Sequence, residues 1–483
     1  MKSIEHSLAI FLVGATGDLS KKKILPALYQ LFSQGLLPEH FYLIGTARSN
    51  FSREEFHQYV KDIVQPKTET NWTEFCNHLY YVSGDVQDEL STLKIKELYE
   101  TLEQCSNHLW YVATLPQLYV SVARGIKAAG LHKTTYGWTK FLIEKPFGTD
   151  LHTAQELNTE LLQVFSEESI YRIDHFLGKE TVQNLLAFRF ANGAFENLWN
   201  WKFVEYITVT SSETIGVEGR TSFYNKTGAV RDIFQNHILQ MIAMTLMEEP
   251  ISLAAHHIDI RREELLESLG QFSVEDMNKK IAFGQYVAGV VHRQTVKGYL
   301  EEAGVPQNSK TETAFACKVS IRNDRWQGVP IYVRLGKRMA KKVTEISIHF
   351  KEPFNKLFEK SDQQPRGNIL TLRIAPNEGI IFRMHIKRPG LKLDLDEVPM
   401  RFYYKNTFQM DLLEAYVKLI YDAIQGDATL FPHAHGIEES WKFVQPLLDQ
   451  VQKPDFSPDL YRAGSWGPES FNQLIARDGR SWN

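Results

Sequence analysis

A dense run of charged residues lies between positions 172 and 180, where the chain reads RIDHFLGKE. His175 and Lys179 carry basic groups that can hold a phosphate, and Asp174 supplies a carboxylate that can orient a catalytic imidazole. Charged residues are almost never fully buried unless they are paired, so a core segment gains nothing from this composition. The run therefore favours a ligand site over a solvated surface.

His237 is the candidate for the catalytic imidazole. It closes the segment DIFQNH, residues 232–237, on the largely apolar face of a predicted helix. A lone histidine on such a face is more often a core residue, but Asp232 lies about one turn earlier, Asn236 is adjacent, and Asp174 offers an acidic partner. An imidazole titrates near neutral pH and suits proton removal from an alcohol as hydride leaves. The pattern predicts a general base.

A glycine-containing turn follows the first predicted strand, residues 8–13. It reads GATGDLS from Gly14 to Ser20 and leads into a helix. Glycines at this place let the backbone approach a pyrophosphate, with the N–H groups of the helix facing it. The pattern is GxxGxxS and not GxGxxG, so a dinucleotide site is favoured and a plain tight turn is the alternative.

The end of the second predicted strand indicates which dinucleotide binds. Residues 46–50 read TARSN, without the Asp or Glu that binds the ribose 2′-hydroxyl in NAD sites. Arg48 would pair with a 2′-phosphate through charge-assisted hydrogen bonds, which favours NADP over NAD. The alternative is a surface arginine.

Two further basic segments are candidates. Lys145 follows a predicted strand in EKPFG, residues 144–148, and the carboxyl ends of strands in a doubly wound sheet face the ligand crevice. We expect its ammonium group near the nicotinamide, donating to a substrate oxygen, with a surface lysine before a turn as the alternative. The loop GKRMAKK, residues 336–342, is a solvated turn taken alone but completes an anion pocket beside His175 and Lys179.

The elements that position these residues fall into two groups. Short apolar runs alternate with helical stretches up to about residue 175, which predicts a doubly wound α/β domain of the Rossmann type over residues 1–175. Pro26 fits the first turn of a helix, so we expect that helix to start near Leu25, after a separate turn over residues 18–23. The predicted strands of this domain are residues 8–13, 41–44, 109–112 and 141–144.

Residues 176–483 have a different pattern, with few crossover helices between strands. Successive β-branched runs predict an extensive, mostly antiparallel sheet in a β+α domain, and one face of this sheet must meet solvent or another subunit. A helix is predicted over residues 230–247, where apolar side chains recur at helical spacing. The predicted strands are residues 203–210, 313–321, 330–334, 345–350, 368–374 and 379–384.

The composition excludes several classes of protein. The 483 residues are 43% hydrophobic and 23% charged, with a formal net charge of −4, which gives no indication of nucleic-acid or membrane binding. The 3 cysteines are scattered, so we expect neither a disulfide framework nor a zinc site. We expect a cytoplasmic location, where thiols stay reduced. The apolar run at residues 8–13 is too short for a membrane helix, and we expect a buried strand and no signal peptide. No metal is expected.

Several segments together resemble the glucose-6-phosphate dehydrogenase family, over about residues 9–482. Residues 172–179 are similar to the family signature RIDHYLGK, and residues 228–237 to GAxRDxxQNH; both are highly specific. Residues 14–19 resemble its GxxGDL coenzyme loop, and residues 144–148 its EKPxG element. Further matches lie at residues 311–313, 325–330, 336–338 and 463–468.

The resemblance implies roles for individual residues. It implies oxidation of glucose 6-phosphate at C1 to 6-phosphogluconolactone with NADP, the first step of the oxidative pentose phosphate pathway. His237 is implied as general base, Asp174 as its orienting partner, and Lys145 as a contact to both substrate and coenzyme. His175 and Lys179 would bind the 6-phosphate, and Glu213, Asp232, Lys337 and Lys342 the sugar or its phosphate. NADP would be held by Gly14, Ala15, Thr16, Gly17, Asp18, Leu19 and Arg48, with Asp85 and Val86 on the adenine side. The resemblance also implies that residues 176–483 bind the substrate and mediate oligomerisation, with a homodimer or homotetramer formed through the large sheet.

One departure from the family pattern concerns the substrate phosphate. Phe176 stands where the family usually has a tyrosine, whose hydroxyl contacts that phosphate. We expect a raised KM for the sugar phosphate and little change in kcat. Two rival functions are a Rossmann-type sugar or polyol oxidoreductase acting on unphosphorylated sugars, and a non-catalytic NADP sensor. The cluster at His175 and Lys179 argues against the first, and the intact Asp174, His237 and Lys145 against the second.

Overall fold

The computed structural model describes residues 7–353, 357–358, 365–410 and 412–482, and the side chain of Glu89 is outside that description. Two compact units make up the chain. The first comprises Met1–Gly178, Ile251–Asp259 and Leu413–Glu438, and the second comprises Lys179–Pro250, Ile260–Leu412 and Glu439–Asn483. The domain boundary expected at residues 175 and 176 stays a prediction.

The strands are β1 (Leu8–Val13), β2 (Phe41–Ala47), β3 (Leu79–Ser83), β4 (Asn107–Val112), β5 (Thr139–Glu144), β6 (Ile170–Ile173), β7 (Val204–Ser212), β8 (Ile281–Val287), β9 (Gly289–Val291), β10 (Gln294–Val296), β11 (Ala314–Val319), β12 (Ile331–Gly336), β13 (Val343–Phe350), β14 (Ile369–Ala375), β15 (Gly379–Lys387), β16 (Leu395–Tyr403) and β17 (Asp459–Arg462).

The α-helices are α1 (Leu25–Ser33), α2 (Arg53–Val64), α3 (Glu69–Asn77), α4 (Glu89–Glu100), α5 (Tyr119–Ala128), α6 (Leu151–Leu162), α7 (Glu180–Phe190), α8 (Gly193–Glu196), α9 (Thr221–Ala229), α10 (Leu239–Leu246), α11 (Ala255–Glu267), α12 (Tyr404–Phe408), α13 (Ala415–Gln425), α14 (Ala434–Val451) and α15 (Glu469–Ala476). Two stretches, Ser20–Ile24 and Val230–Ile238, are π-helical.

The first unit is built on a six-stranded sheet in the order β3-β2-β1-β4-β5-β6. All its strand pairs are parallel. Every residue of β1, β4 and β5 is buried, which explains their continuous apolar runs, since a parallel sheet is covered on both faces. The strand order reverses between β1 and β4, which is the place where such sheets bind ligands. The predicted doubly wound Rossmann-type sheet is confirmed.

The predicted start of α1 at Leu25 is confirmed, with Pro26 in its first turn, but the residues before it differ from our expectation. Residues 18–33 are helical without interruption, and the segment Ser20–Ile24 is a π-helical turn that runs directly into α1. The separate turn predicted over residues 18–23 is therefore wrong. A proline inside a helix removes a hydrogen bond and crowds the carbonyl four residues earlier. The wider π turn before Pro26 relieves that crowding, so helical backbone over residues 18–24 continues directly into α1.

The second unit contains a nine-stranded sheet in the order β16-β15-β14-β13-β7-β12-β11-β8-β17. The pairs β7–β12 and β8–β17 are parallel, and the other pairs of this sheet are antiparallel. The predicted extensive, mostly antiparallel sheet is confirmed. The helix predicted over residues 230–247 is present as the π-helical stretch Val230–Ile238 followed by α10. Every residue of α10 is buried.

No helix in the described part of the chain combines the length and apolar character that crossing a membrane requires.

Candidate active site

The turn after β1 has the geometry of a dinucleotide loop. Gly14 has a φ of +85°, and a Cβ at this position would lie 2.6 Å from the carbonyl oxygen of Ala113, so only glycine fits. The N–H groups of Gly14 and Ala15 donate to the Thr46 carbonyl at 2.8 and 3.0 Å, which fixes the loop against the end of β2. The next helix opens at Asp18, so its first N–H groups have no partner within the helix and are available to an anion.

The other coenzyme candidates end at the same edge of the sheet. Arg48 follows β2 and is exposed, and the neighbouring Ser49 hydroxyl lies 3.1 Å from that of Thr16 in the loop. Asp85 and Val86 follow β3, whose end is tied to β2 by a hydrogen bond from the Gly84 N–H to the Ala47 carbonyl at 2.9 Å. The structure thus brings the predicted loop, Arg48 and the Asp85 segment together.

These residues fit NADP. Gly14 allows the tight turn that leads into the open amino end of the next helix, and the end of β2 presents a guanidinium group and no carboxylate. A 2′-phosphate needs that positive charge, whereas the 2′-hydroxyl of NAD is bound by an acid at this place.

Lys145 lies directly after β5, at the same carboxyl edge, and is partly buried. The residue before it, Glu144, is 8% exposed and ends the strand. The Tyr111 hydroxyl donates to Glu144 Oε1 at 2.6 Å, and the Tyr119 hydroxyl donates to the Glu144 carbonyl oxygen at 2.6 Å. Burial raises the pKa of Glu144 to about 7. Sequence reasoning did not identify these groups, because tyrosines in an apolar strand and helix look like core residues.

The RIDHFLGKE segment begins at the end of β6. Asp174 is buried, and its Oδ1 accepts a hydrogen bond from the Phe176 N–H at 2.9 Å. The His175 ring is partly exposed; its centroid lies 4.8 Å from that of Phe176 and 6.4 Å from that of Tyr416, to which it is nearly parallel at 11°. A carboxylate and an imidazole are therefore presented by consecutive residues of the first unit.

Arg172, the first residue of that segment, has a structural role. Its side chain is 0% exposed, and its guanidinium group donates to both carboxylate oxygens of Glu167, at 2.6 and 3.1 Å. A third hydrogen bond, at 3.0 Å, reaches Asn158 Oδ1. The charge of Arg172 is thus directed into the first unit and does not form part of the anion site.

In the second unit, three predicted sugar-binding residues form one cluster. The Lys337 side chain is 2% exposed, and its Nζ lies 2.6 Å from Glu213 Oε2 and 3.9 Å from Asp232 Oδ2. The same ammonium lies 5.1 Å from the centroid of the Tyr224 ring, within cation–π range. One cation between two carboxylates can present both donors and acceptors to the hydroxyl groups of a sugar.

His237 lies in the π-helical stretch and is 2% exposed. Gly228, just before this stretch, has a φ of +66°, and a Cβ at this position would lie 2.2 Å from Glu312 Oε1, so only glycine fits. That buried carboxylate accepts the Val230 N–H at 3.2 Å, and burial raises the pKa of Glu312 to about 7. Short π-helical segments recur at functional sites, because the extra residue redirects side chains within a helix. Glu312 therefore fixes the start of the segment that carries His237.

Lys179 and Lys342 line one cavity of about 620 Å³ in the second unit. Lys179 Nζ lies 3.4 Å from Glu378 Oε1, so an acidic residue that was not predicted accompanies the first lysine. No spacing in the sequence links residue 378 to residue 179, and only the fold brings them together. The other lining residues are Ala375, Pro376, Asn377, Tyr403, Lys405, Asn406 and Leu412.

Comparison with protein families covers nearly the whole chain. Residues 11–184 match the family model described as glucose-6-phosphate dehydrogenase, NAD binding domain, and residues 186–483 match its C-terminal domain. Glucose-6-phosphate 1-dehydrogenase of Aggregatibacter actinomycetemcomitans is 42% identical, over 100% of this chain and 98% of its own length. The Bacillus subtilis protein of the same name is 37% identical, over 100% and 99%.

Solved structures give the same result. A glucose-6-phosphate dehydrogenase in complex with its substrate glucose 6-phosphate superimposes with a TM-score of 0.91 at 32% identity, over 100% of both chains. Glucose-6-phosphate 1-dehydrogenase from Mycobacterium avium superimposes with a TM-score of 0.84 at 31% identity, over 99% of both chains.

Proposed function

The chain belongs to the glucose-6-phosphate dehydrogenase family, and on that premise we propose that His237 is the general base of its reaction. The protein oxidises glucose 6-phosphate at C1 to 6-phosphogluconolactone, the first step of the oxidative pentose phosphate pathway. The chemistry that NADP supplies when bound is acceptance of a hydride. The residues of this chain bind and orient the sugar and move one proton.

The imidazole of His237 accepts the proton in this reaction. As hydride leaves C1, the C1 hydroxyl becomes acidic, and a neutral imidazole takes its proton. Asp174 holds that imidazole in one tautomer and stabilises the imidazolium, which is the role of the carboxylate in a catalytic triad. Lys145, at the carboxyl end of β5, donates a hydrogen bond to a substrate oxygen and orients the coenzyme. These three roles are carried over from the family pattern, position by position.

The polar cluster at Lys337 is the observation that best supports a sugar substrate. The Glu213 and Asp232 side chains, 35% and 18% exposed, flank the buried Lys337 ammonium, so their oxygens and its N–H groups can serve vicinal hydroxyl groups as acceptors and donors. His175, Lys179 and Lys342 supply the positive charge that a 6-phosphate needs. Gly14, Ala15, Thr16, Gly17, Asp18, Leu19 and Arg48 hold NADP, with Asp85 and Val86 on the adenine side.

Replacement of the base tests the proposed mechanism. His237→Asn keeps a polar side chain of similar size and removes the imidazole that would accept the proton. We expect kcat to fall by about 10²–10⁴-fold, the usual contribution of general-base catalysis, with NADP⁺ affinity unchanged by calorimetry. Turnover close to wild type in this variant would show that another group takes the proton.

We also propose that the large sheet mediates self-association in the cytoplasm. Its edge strand β16 exposes Met400 and the adjoining α12 exposes Phe408, and Met410, just after α12, is exposed as well. An exposed edge with apolar residues is a common protein–protein contact. Light scattering coupled to size exclusion distinguishes a dimer from a tetramer, and a Met400→Lys variant that associates like wild type would place the contact elsewhere. Cell fractionation tests the location.

A further inference from the structure

Glu144 is a buried carboxylate that none of the proposed catalytic steps uses. It ends β5, one residue before Lys145. Its Oε1 accepts the Tyr111 hydroxyl at 2.6 Å from the end of the neighbouring strand β4. A second hydroxyl, that of Tyr416 in α13, faces the same side chain and acts to lower its pKa. Because a buried carboxylate is costly without donors, two hydroxyls aimed at one carboxylate indicate a structured polar site.

The backbone of Glu144 is held as well as its side chain. The Tyr119 hydroxyl, at the start of α5, donates to its carbonyl oxygen at 2.6 Å. Tyrosines from three different elements, β4, α5 and α13, therefore converge on the residue that precedes Lys145. They determine the direction in which the chain leaves the strand, and so the position of the next side chain.

Strand β5 also fixes both ends of α13. Lys140 and Glu144 are four residues apart on one face of the strand, since alternate residues of a strand share a face. Lys140 Nζ donates to the carbonyl oxygens of Ala423 at 2.6 Å and Ile424 at 3.3 Å, near the carboxyl end of the helix. The positive charge of Lys140 has the sign that stabilises the carboxyl end of a helix. The side chain of Tyr416, a residue near the amino end, faces Glu144.

We propose that Glu144 is a positioning residue whose carboxylate, through Tyr111 and Tyr416, holds Lys145 and His175 in the orientation that binds glucose 6-phosphate. Tyr416 forms the link to the phosphate side, because its ring lies parallel to the His175 ring at 6.4 Å. This inference rests on the proposed function, since it assigns a task only if Lys145 and His175 contact the substrate.

The working form of Glu144 is the ionised one, because its carboxylate accepts the Tyr111 hydroxyl at 2.6 Å and the Tyr416 hydroxyl also favours the charged form. Burial raises its pKa to about 7; the positive charge of Lys145 acts against that rise, and the negative charge of Asp174 adds to it. The hydroxyls that face it stay protonated near neutral pH, since burial raises the pKa values of Tyr111, Tyr119 and Tyr416. Below about pH 7 a proton on Glu144 competes with the hydroxyls, so binding of the sugar phosphate weakens there.

Glu144→Gln is the direct test, because it keeps the size and one acceptor but removes the charge. We expect kcat/KM for glucose 6-phosphate to fall about tenfold at pH 8, the effect of losing one charge-assisted hydrogen bond. We also expect the fall of kcat/KM below about pH 7 to become less steep, because the carboxylate that takes up a proton there is gone. The matched control is Glu167→Gln, a partly buried carboxylate of the same unit that pairs with Arg172. We expect the Glu167→Gln protein to be less stable than wild type but to have the same pH profile of kcat/KM.

A second variant decides the question if Glu144→Gln does not fold. Tyr111→Phe removes one donor to the carboxylate, which raises the pKa of Glu144 and moves the acid midpoint of kcat/KM up by about one pH unit. Tyr99→Phe is its control, since that buried hydroxyl contacts His108 at 3.0 Å, near the opposite end of β4.

Profiles of both test variants that match wild type in midpoint, slope and plateau would overturn the inference. Failure of the proposed function is distinguishable, because the wild-type protein would then show no turnover of glucose 6-phosphate in the same assay.

Discussion

Within the charged segment 172–180, Arg172 has a structural role, whereas His175 and Lys179 are the proposed ligands of the phosphate. In an Arg172→Met variant, Glu167 and Asn158 lose a guanidinium group that is 0% exposed and donates three hydrogen bonds at 2.6 to 3.1 Å. Removal of one member of a buried pair costs about 3–5 kcal/mol, because a charge is left without its partner. Glu167 is 23% exposed and can regain water, which places the loss near about 3 kcal/mol.

Thermal unfolding measures this loss. For a unit of this size, about 3 kcal/mol corresponds to a melting temperature lower by roughly 6–12 °C. The matched control is Arg124→Met, since Arg124 pairs with Glu160 at the same 2.6 Å but is 62% exposed. A surface pair contributes at most about 1 kcal/mol, so the control melts within a few degrees of wild type.

The folded Arg172→Met protein should keep the KM of wild type for glucose 6-phosphate when assayed below its melting range. A variant that melts like wild type but has a KM raised more than tenfold would refute this reasoning and make Arg172 a ligand of the phosphate.

Three further predictions concern the substrate, the coenzyme and pH. Phe176→Tyr should lower the KM for glucose 6-phosphate by up to about tenfold with kcat unchanged, as expected for one added hydrogen bond to a charged group, and an unchanged KM in initial-rate measurements would contradict it. Arg48→Ala should raise the KM for NADP⁺ about tenfold or more but leave the KM for NAD⁺ unchanged. This difference should shrink at high salt, because Arg48 is exposed. Equal effects on both coenzymes would exclude the contact with the 2′-phosphate. Burial lowers the pKa of His349 to about 3, so the unfolded chain binds a proton below about pH 6.5 that the folded chain refuses, and stability falls as the pH falls. His349→Gln should reduce that slope by up to about 1.4 kcal/mol per pH unit in urea titrations at pH 5 and 6, and an unchanged slope would assign the acid sensitivity to other groups.

The parallel sheet could be predicted well from the sequence because its strands are buried on both faces. The run from Leu8 to Val13 has the bounds that the structure shows, and the strands predicted at residues 41–44, 109–112 and 141–144 lie within β2, β4 and β5. The π turn before Pro26 could not be predicted, since a proline at the first turn of a helix and one after a π turn have the same local sequence. Strand β3 was not predicted because its residues are only partly buried after the first.

The candidate site was predictable where chemistry depends on residues close in sequence. The glycine loop and Arg48 follow successive strands, and parallel topology brings the carboxyl ends of strands to one edge. Contacts between distant segments had no such signal. Lys337 meets Glu213 across 124 residues, a pairing that entered only through the family resemblance. The contacts of Glu144 with Tyr111 and Tyr416 depend on the fold of the first unit, and no local spacing indicates them.

The most direct test of the central claim is the rate of NADPH formation, followed by absorbance, with purified protein, NADP⁺ and glucose 6-phosphate. Matched reactions contain glucose in place of the sugar phosphate, or NAD⁺ in place of NADP⁺. The account predicts rapid reduction of NADP⁺ that requires the phosphate, and a much lower kcat/KM with glucose. Equal rates with glucose would contradict the anion site at His175 and Lys179. No reduction, despite measurable binding of NADP⁺, would contradict the proposed catalysis by His237.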